Sequence, residues 1–299
     1  MSINRITKRP YRVLSDFGAV YRFLTDTYSD KELNGMMLPQ FFEYAHTHPL
    51  FNKNLTHRMT LWEDEGCIIA FCGYEMDIGE AFLVTNKKYD NLLPETLRQA
   101  EAELSTKKDG KCSLAVYVTE AQSNRIDLLL QNGYIKTYTE PVRIYDYKNG
   151  FPKLILPDGY SCISLENGID LRKLNRCTWR GFDHGDDVEY NIDEVRYMAS
   201  GPHYRPDLGR IIIAPDGEYA CFAGMWIDET NKYAYLEPLC TQPEYRRIGL
   251  ARYALTDAMR QTHNLGAEYC FGGVIDFYTA IGFETITNRQ VWKREWNEF

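Results

Sequence analysis

The sequence has none of the long apolar runs, cysteine motifs or excess basic charge that mark several protein classes. Its longest apolar runs, such as residues 67–72, fall far short of the roughly 20 residues that a membrane-spanning helix needs. Lys and Arg total 34 against 42 Asp and Glu. The net charge of −8 argues against a dedicated nucleic-acid-binding protein, whose affinity depends on cationic contacts to phosphates. We therefore expect neither a membrane nor a nucleic acid among its partners.

The eight cysteines are scattered, without a Cys-x-x-Cys pair or the histidine spacing of a zinc site. Basic residues near the start are followed by no apolar stretch, so no export signal is predicted. Together these features predict reduced thiols in a cytoplasmic protein with no metal site. One acidic cluster fits no standard metal-ligand spacing, and it is interpreted either as a solvated loop or as a surface that attracts a cationic substrate. Its members are His184, Asp186, Asp187 and Glu189.

An internal repeat is the main organising feature of the chain. A length of 299 residues predicts roughly two domains. Three sets of residues also recur later in the chain, in the same order and at nearly constant offsets. Gly66, Phe71, Gly73 and Asp77 recur 151 positions later, Thr85 and Tyr89 recur 156 later, and Ile126, Asp127, Gly133 and Tyr134 recur 149 later, the last as Phe283. We infer two copies of one fold, residues 1–148 and 149–299, with a boundary near Gly150 and Pro152.

The second copy has the clearer pattern of strands and helices. The predicted order is a strand at 160–164, a helix through 171–178, strands at 210–214, 219–227 and 233–240, a helix at 250–262 that Gly266 ends, a strand at 268–271, a short helix at 276–281 and a last strand at 284–292. This order predicts an α/β fold class of the α+β type. Each copy is expected to have a central mixed, largely antiparallel sheet flanked by helices.

The segment 239–252 carries the strongest chemical signal. It runs from the end of a strand, through a turn, to the start of a helix that contains Gly249. The first turn of a helix leaves about four backbone N–H groups unpaired and carries roughly half a positive charge. Gly249 and the small Ala251 leave room for an anion, and Arg246, Arg247 and Arg252 add positive charge. The pattern therefore predicts a pyrophosphate-binding site.

With the Phe-Tyr-x-x-Ile-Gly-Phe sequence at 277–283, this segment resembles the GNAT superfamily of N-acetyltransferases. Members of that superfamily transfer an acetyl group from acetyl-CoA to an amine. Stretches 204–207 and 236–239 are also similar to a bacterial branch that has two tandem GNAT domains. The resemblance is strong over residues 160–292 and weak in the first half. One departure is the short linker 271–275, which lacks the Asn that many members place before the tyrosine.

The resemblance implies that acetyl-CoA is the co-substrate and that the second copy binds it. Strand backbone at 239–241 is expected to contact the pantetheine and the acetyl carbonyl, and amides of the helix start are expected to hold the pyrophosphate. The predicted cofactor-binding residues are Leu239, Cys240, Thr241, Arg246, Arg247, Ile248, Gly249, Leu250, Ala251 and Arg252.

Catalysis requires a neutral amine, and an amine with a pKa of about 10.4 costs about 4.6 kcal/mol to deprotonate at pH 7. Glu237 is the candidate base, because it lies two residues before Leu239 on the same strand face. Tyr278 is the candidate general acid for the departing thiolate, and a backbone N–H near Leu239 or Cys240 is expected to stabilise the oxyanion. The alternatives are that Glu237 is a hydrogen-bonded strand carboxylate, that Tyr278 is a core aromatic, and that Cys240 packs as a reduced thiol or carries the acetyl group.

The first copy lacks the residues of this site. At the positions of Arg246, Gly249, Ala251 and Tyr278 it has Asp90, Leu93, Glu95 and Leu129. Acidic side chains repel pyrophosphate, and a leucine side chain blocks the backbone. We therefore expect residues 1–148 to be a degenerate copy without a cofactor site, with a structural or substrate-shaping role.

The predicted function is transfer of an acetyl group to a primary amine of an unidentified small molecule or peptide by direct attack. A non-catalytic acyl-CoA sensor or scaffold is the alternative from another class, and a longer acyl chain also stays open. The chain is expected to be a monomer or a homodimer.

Overall fold

The computed structural model describes residues 6–298, so residues 1–5 and 299 of the two predicted copies lie outside the described residues. The chain forms two compact units. Unit 1 takes in the chain up to His46, Leu50–Pro141 and the chain from Thr287 onward, and unit 2 takes in Thr47–Pro49 and Val142–Ile286. The division at 148/149 stays a prediction about the repeat. The compact units depart from it mainly in two segments, 142–148 and the chain end from Thr287.

Strands and helices lie in both halves of the chain. In the first half they are β1 (Thr7–Pro10), α1 (Val13–Asp26), α2 (Pro39–Thr47), β2 (Thr60–Asp64), β3 (Cys67–Gly73), β4 (Glu80–Thr85), α3 (Leu93–Glu103), β5 (Thr106–Lys108), β6 (Lys111–Thr119), α4 (Ser123–Gln131) and β7 (Ile135–Asp146). In the second half they are β8 (Ser161–Ser164), α5 (Leu171–Gly181), α6 (Ile192–Met198), β9 (Arg210–Ile213), β10 (Tyr219–Asp228), β11 (Tyr233–Thr241), α7 (Leu250–Asn264), β12 (Tyr269–Gly272), α8 (Asp276–Ala280) and β13 (Glu284–Asn297).

The sheet of unit 1 has the order β1-β2-β3-β4-β6-β13, with β7 as the next neighbour of β13 and β5 paired to β6. The β4–β6 pair is parallel and covers Glu80–Phe82 against Ala115–Tyr117. The other registered pairs of this unit are antiparallel. Residues Arg289–Asn297 of β13 pair with β6 and so complete this sheet with the end of the chain.

The sheet of unit 2 has the order β7-β12-β11-β10-β9-β8, and β7 contributes only its last residues, from Arg143 to Asp146. The β11–β12 pair is parallel, and the remaining pairs are antiparallel. Helix α7 buries Ala254, Leu255, Ala258 and Met259, which follow the helical repeat, in the core of this unit. These observations confirm the predicted fold class of a mixed, largely antiparallel sheet flanked by helices.

The two units repeat the same local contacts. The Tyr89 hydroxyl donates to Asp64 over 2.6 Å, and the equivalent Tyr245 hydroxyl donates to Asp216 over 2.7 Å. The hairpin turns before β3 and β10 each contain a glycine in the left-handed region, Gly66 with φ 82° and its repeat partner with φ 84°. The two units thus share these two local features, and the division into two copies stays a prediction.

Two predictions about elements need correction. The last strand begins at Glu284 as expected, but it extends to Asn297, and from Arg289 it pairs with β6 of unit 1. Helix α6, at Ile192–Met198, was not predicted; its seven residues make only about two turns, too short a window for a clear helical pattern. Among the described residues, no helix combines the length and apolar character needed to cross a bilayer.

Candidate functional site

The site in unit 2 begins where two parallel strands separate. The β11–β12 ladder covers only Tyr233–Tyr235 against Tyr269–Phe271, whereas β11 continues to Thr241. Residues 236–241 therefore present a strand edge to the space beside β12. Backbone N–H and C=O groups along such an edge can bind an extended ligand as an additional strand would.

A bulge shapes β11 at this point and requires a glycine in the opposite strand. Ala223 pairs with Leu239 and Met225 pairs with Leu236, so Gly224 alone faces two residues, Glu237 and Pro238. A Cβ atom on Gly224 would lie 2.4 Å from the Glu237 carbonyl oxygen and 2.7 Å from Pro238 Cδ. The close approach of the two backbones therefore holds the bulge that carries Glu237 in place.

The indole of Trp226 supports the same bulge. Its Nε1–H donates to the Glu237 carbonyl over 3.1 Å, and the Trp226 side chain is buried. The Glu237 backbone is thus fixed against β10 by a hydrogen bond from Trp226 and by the close approach of Gly224.

The loop after β11 forms a start of α7 that has no side-chain cap. Arg247 and Gly249 both lie in the left-handed region, with φ 67° and 91°, and α7 begins at Leu250. No side chain of the described chain caps this N-terminus at Gly249. The first-turn N–H groups are thus available, and 247–249 and Arg252 are exposed while Leu250 is buried. This geometry suits a pyrophosphate, as the sequence predicts.

The glycine at 249 has a conformational reason besides the room that it was predicted to leave for an anion. A Cβ atom there would meet no protein atom within 4 Å, so packing of the protein does not require glycine. Its φ of 91° does, because side-chain-bearing residues rarely adopt that conformation. The glycine therefore sets the course of the loop into α7.

The guanidinium of Arg246 is engaged by neighbouring groups of the protein. It donates to Thr241 O over 2.9 Å, to Gly181 O over 3.0 Å and to Asp183 Oδ1 over 2.8 Å. The side chain joins the end of α5 to the end of β11. Its predicted contact with the cofactor therefore stays a prediction for the backbone amide, while Arg247 and Arg252 are exposed beside the loop.

Tyr278 lies in α8 with only 8% of its surface exposed. Its ring packs edge-on against Phe277 and Phe283, with ring centroids 5.2 and 5.3 Å apart. Gly272 and Gly273 pass so close that a Cβ atom on either would lie 2.8 or 2.6 Å from a ring carbon. The sequence analysis treated this linker as short and without the usual Asn; its two glycines are what let the backbone pass over the ring.

The Tyr278 phenol lies within the electrostatic influence of Glu237. Burial raises the pKa of the Tyr278 phenol, and the charge of Glu237 raises it further, whereas a hydrogen bond from the Gly273 N–H lowers it. Tyr278 is therefore a neutral phenol at physiological pH. Its oxygen accepts the Gly273 N–H, and its own proton can be donated to another group.

The strand residues 239–241 divide between the two faces of the sheet. Leu239 packs against the core that contains α7, and Cys240 belongs to the core beside α5. The Cys240 thiol is buried and lies 3.6 Å from the Cys177 carbonyl oxygen. This placement favours a packing role for the thiol and leaves the backbone of the strand for ligand contacts.

The acidic loop at 183–189 lies at the end of α5. Asp186 pairs with Arg180 over 2.9 Å, and the same arginine also contacts Glu244. Across residues 6–298, no group of three or more His, Cys, Asp and Glu side chains is placed to hold a metal ion.

We call the place where the two parallel strands of a unit separate its strand gap. The strand gap of unit 1, between β4 and β6 beyond Phe82, contains a buried arginine. Arg125 is 5% exposed, and its Nε and Nη2 donate to Leu83 O over 3.2 Å and to Thr85 Oγ1 over 2.9 Å. Both partners lie in β4 at or beyond the last residue of its short ladder with β6. The Glu32 carboxylate is 3.3 Å from the same guanidinium. A side chain of this unit thus occupies the strand edge that is open in unit 2.

The other first-copy positions follow their sequence. Leu93 is buried at the start of α3 with a helical φ of −50°, in place of the left-handed Gly249. Asp90 accepts the Thr85 hydroxyl over 2.5 Å, and Leu129 is buried. The segment therefore has no equivalent of the exposed loop before α7.

Comparisons with known proteins agree with this arrangement. Residues 169–283 match the sequence profile of the Acetyltransferase (GNAT) family. A search of curated proteins finds no match by sequence.

Three solved structures share the fold. A GCN5-related N-acetyltransferase from Sphaerobacter thermophilus is 12% identical with a TM-score of 0.60, over 99% of this chain and 97% of that one. A tandem GNAT protein from the clavulanic acid biosynthesis pathway is 13% identical with a TM-score of 0.61, over 97% and 98%. Saccharomyces cerevisiae N-myristoyltransferase, solved with myristoyl-CoA, is 12% identical with a TM-score of 0.55, over 98% and 79%. Residues 169–283 are thus a domain of the GNAT acetyltransferase family, in a chain that has the GNAT fold.

Proposed function

We propose that unit 2 transfers an acetyl group from acetyl-CoA to a primary amine. The family assignment supports acyl transfer from an acyl-CoA. One observation supports acetyl transfer to an amine in particular. Glu237 and Tyr278 lie at the strand gap, where β11 has no neighbouring strand on one side and leads into the uncapped start of α7. A donor and an acceptor of protons then flank the place where an extended thioester would lie.

The loop and the strand edge would hold the co-substrate. The first-turn amides of α7 suit the pyrophosphate, and Arg247 and Arg252 add charge beside them. The edge of β11 at 239–241 suits the pantetheine amides, and a backbone N–H near Leu239 or Cys240 would stabilise the oxyanion.

Glu237 would accept the amine proton as nitrogen attacks the thioester carbon. The C–N bond forms, the C–S bond breaks, and the electron pair of that bond leaves on sulfur. Tyr278 would donate a hydrogen bond, and then its proton, to the departing thiolate. With ordinary pKa values near 10 for tyrosine and 8.5 for a thiol, that transfer is uphill by about 2 kcal/mol, and burial makes it harder.

The electrostatic coupling between the two residues reduces this difficulty. The negative charge of Glu237 is one cause of the raised pKa of Tyr278. When Glu237 takes the amine proton, that charge disappears and the tyrosine becomes a better acid at the step that needs one. The proton on Glu237 can then return to the phenolate, so the enzyme ends the cycle unchanged.

Purified protein would be tested with acetyl-CoA and a panel of amines, with free thiol release as the signal. Tyr278→Phe and Glu237→Gln are each expected to lower kcat by about 10²- to 10⁴-fold, the usual range for acid–base residues. Tyr147→Phe is the matched control, because Tyr147 is another buried tyrosine of unit 2 whose hydroxyl pairs instead with Thr262.

The alternatives give different results. Calorimetric binding of acetyl-CoA without turnover on any amine would indicate a sensor, and tighter binding of longer acyl-CoAs would indicate another acyl donor. Unchanged kcat in both variants, with an acceptor found, would remove the roles assigned to Glu237 and Tyr278.

We also propose that unit 1 binds no acyl-CoA, because Arg125 occupies its strand gap and Leu93 blocks the start of α3. A reducing compartment such as the cytoplasm is proposed as the site of action, since all eight cysteines are free thiols.

A further inference from the structure

Arg143 reaches unit 2 from the first half of the sequence. It lies in β7, at a position that the repeat places in the first copy, but it pairs with Gly272 of β12. Its side chain is 8% exposed. The residue therefore belongs to the unit that carries Tyr278, although sequence order places it elsewhere.

The guanidinium of Arg143 holds three successive carbonyl groups. Its Nη1 donates to Gly273 O over 3.4 Å and to Ile275 O over 3.2 Å, and it contacts Val274 O closely. Carbonyl oxygens that converge on one point repel each other unless a cation lies between them. No side chain caps α8 at Ile275 within the described residues. The conformation of this linker thus depends on the buried charge.

The same linker determines where the Tyr278 ring lies. The Gly273 N–H bonds the phenol oxygen, and the Ile275 carbonyl that accepts from Arg143 also accepts the Tyr278 backbone N–H over 3.2 Å. A Cβ atom on Gly273 would lie 2.6 Å from a carbon of the Tyr278 ring, which is closer than an ordinary contact. A shift of the linker would therefore move both the ring and its hydroxyl.

We propose that Arg143 is a positioning residue that holds the 273–275 linker so that the Tyr278 hydroxyl points at the leaving sulfur. The proposal rests on the proposed function of Tyr278. Arg143 touches neither substrate in this scheme and acts only through the linker.

The test compares Arg143→Met and Arg143→Lys with Arg260→Met. Arg260 is a matched control, because its guanidinium also donates to a backbone carbonyl of unit 2, that of Pro152. Arg143→Met is expected to lower kcat by about 10- to 100-fold, as a displacement near 1 Å does, with the KM for acetyl-CoA changed less than about 3-fold. Arg143→Lys keeps a cation and should recover part of the loss, and Arg260→Met should keep wild-type kcat.

A double variant separates this proposal from the proposed function. If Arg143 acts through Tyr278, then Arg143→Met in a Tyr278→Phe background causes no further loss of kcat. A full additional loss there, or a rise in KM without a fall in kcat, overturns the positioning role. Wild-type kcat in Tyr278→Phe alone removes instead the acid role proposed for Tyr278, on which this proposal rests.

Hydrogen exchange tests the linker without using activity. Amides of residues 272–278 should exchange faster in Arg143→Met than in wild type and stay unchanged in Arg260→Met. Equal exchange in all three proteins overturns the proposal. If Arg143→Met does not fold, Arg143→Lys carries both measurements, with a smaller expected fall in kcat and the same unchanged KM.

Discussion

Substitution of Gly224 by alanine tests whether the bulge in β11 holds the catalytic geometry. The new Cβ atom would lie 2.4 Å from the Glu237 carbonyl oxygen, whereas ordinary contacts begin at 3.4 Å. Both neighbouring atoms are backbone or proline ring, so no flexible side chain can move aside. The φ of Gly224 is not in the left-handed region, and the close contact is therefore the whole reason for the glycine.

The magnitude follows from this overlap. Relief requires the strands to separate by roughly 1 Å, and a displacement of that size at a catalytic group can cost about 10²-fold in rate. Overpacking of this kind also lowers the free energy of unfolding by about 1–3 kcal/mol. Gly224→Ala should therefore reduce kcat for thiol release about 100-fold and shift the urea unfolding midpoint downward.

Gly66→Ala is the control for this measurement. Gly66 lies in the β2–β3 turn of unit 1 with φ 82°, and a Cβ atom there meets nothing within 4 Å. It should cost about 1–2 kcal/mol of stability, the usual penalty for the left-handed region, and leave kcat unchanged. A Gly224→Ala protein with wild-type kcat and stability would refute the argument that the bulge is held by backbone contact.

Three further predictions concern charged and titratable groups. Burial lowers the pKa of His46 to about 4, while its hydrogen bond with the Phe42 carbonyl partly opposes this. In the unfolded chain His46 is protonated below about pH 6.5, whereas in the folded chain it stays neutral until about pH 4. The unfolding free energy of wild type, measured by urea unfolding, should therefore fall by about 3 kcal/mol more between pH 7 and pH 4 than that of His46→Gln. Arg125→Met removes a buried cation from the Leu83 carbonyl and from the partly exposed carboxylates of Glu32 and Asp90, so it should lower the unfolding free energy by about 1–3 kcal/mol, while calorimetry still finds one acetyl-CoA per chain. Arg246→Met should weaken acetyl-CoA binding without changing its salt dependence, whereas Arg247→Met should reduce that dependence; the opposite pattern would show that Arg246 contacts the pyrophosphate.

The sequence predicted most local elements of the second copy to within a few residues. The helix expected at 250–262 extends over Leu250–Asn264, and the strand expected at 219–227 extends over Tyr219–Asp228. Helical and strand periodicities depend on residues close together in the chain, so a local pattern is enough to indicate them. The loop before α7 was predicted for a similar reason, since a strand end, a turn and a helix start follow one another within 14 residues.

The residues that complete the site were harder to predict. The pairing of Gly224 with the bulge depends on strand register, and the only signal in the sequence was that Gly73 recurs at this position. The role of Arg246 depends on Asp183 and Gly181, which are more than 60 residues away in the chain. Such contacts join distant segments, and a side chain's type does not state which distant partner it meets.

Local sequence by itself determined most of the strands and helices of this protein and the turn that leads into α7. Tertiary structure decided which strands pair, and so placed the end of the chain beside β6 and the end of β7 beside β12. The physical reason is that ladder hydrogen bonds are made by backbone groups common to all residues, so the partner of a strand is chosen by packing and chain connectivity. That choice brings Arg143 to the linker of Tyr278 and Arg125 to the strand gap of unit 1.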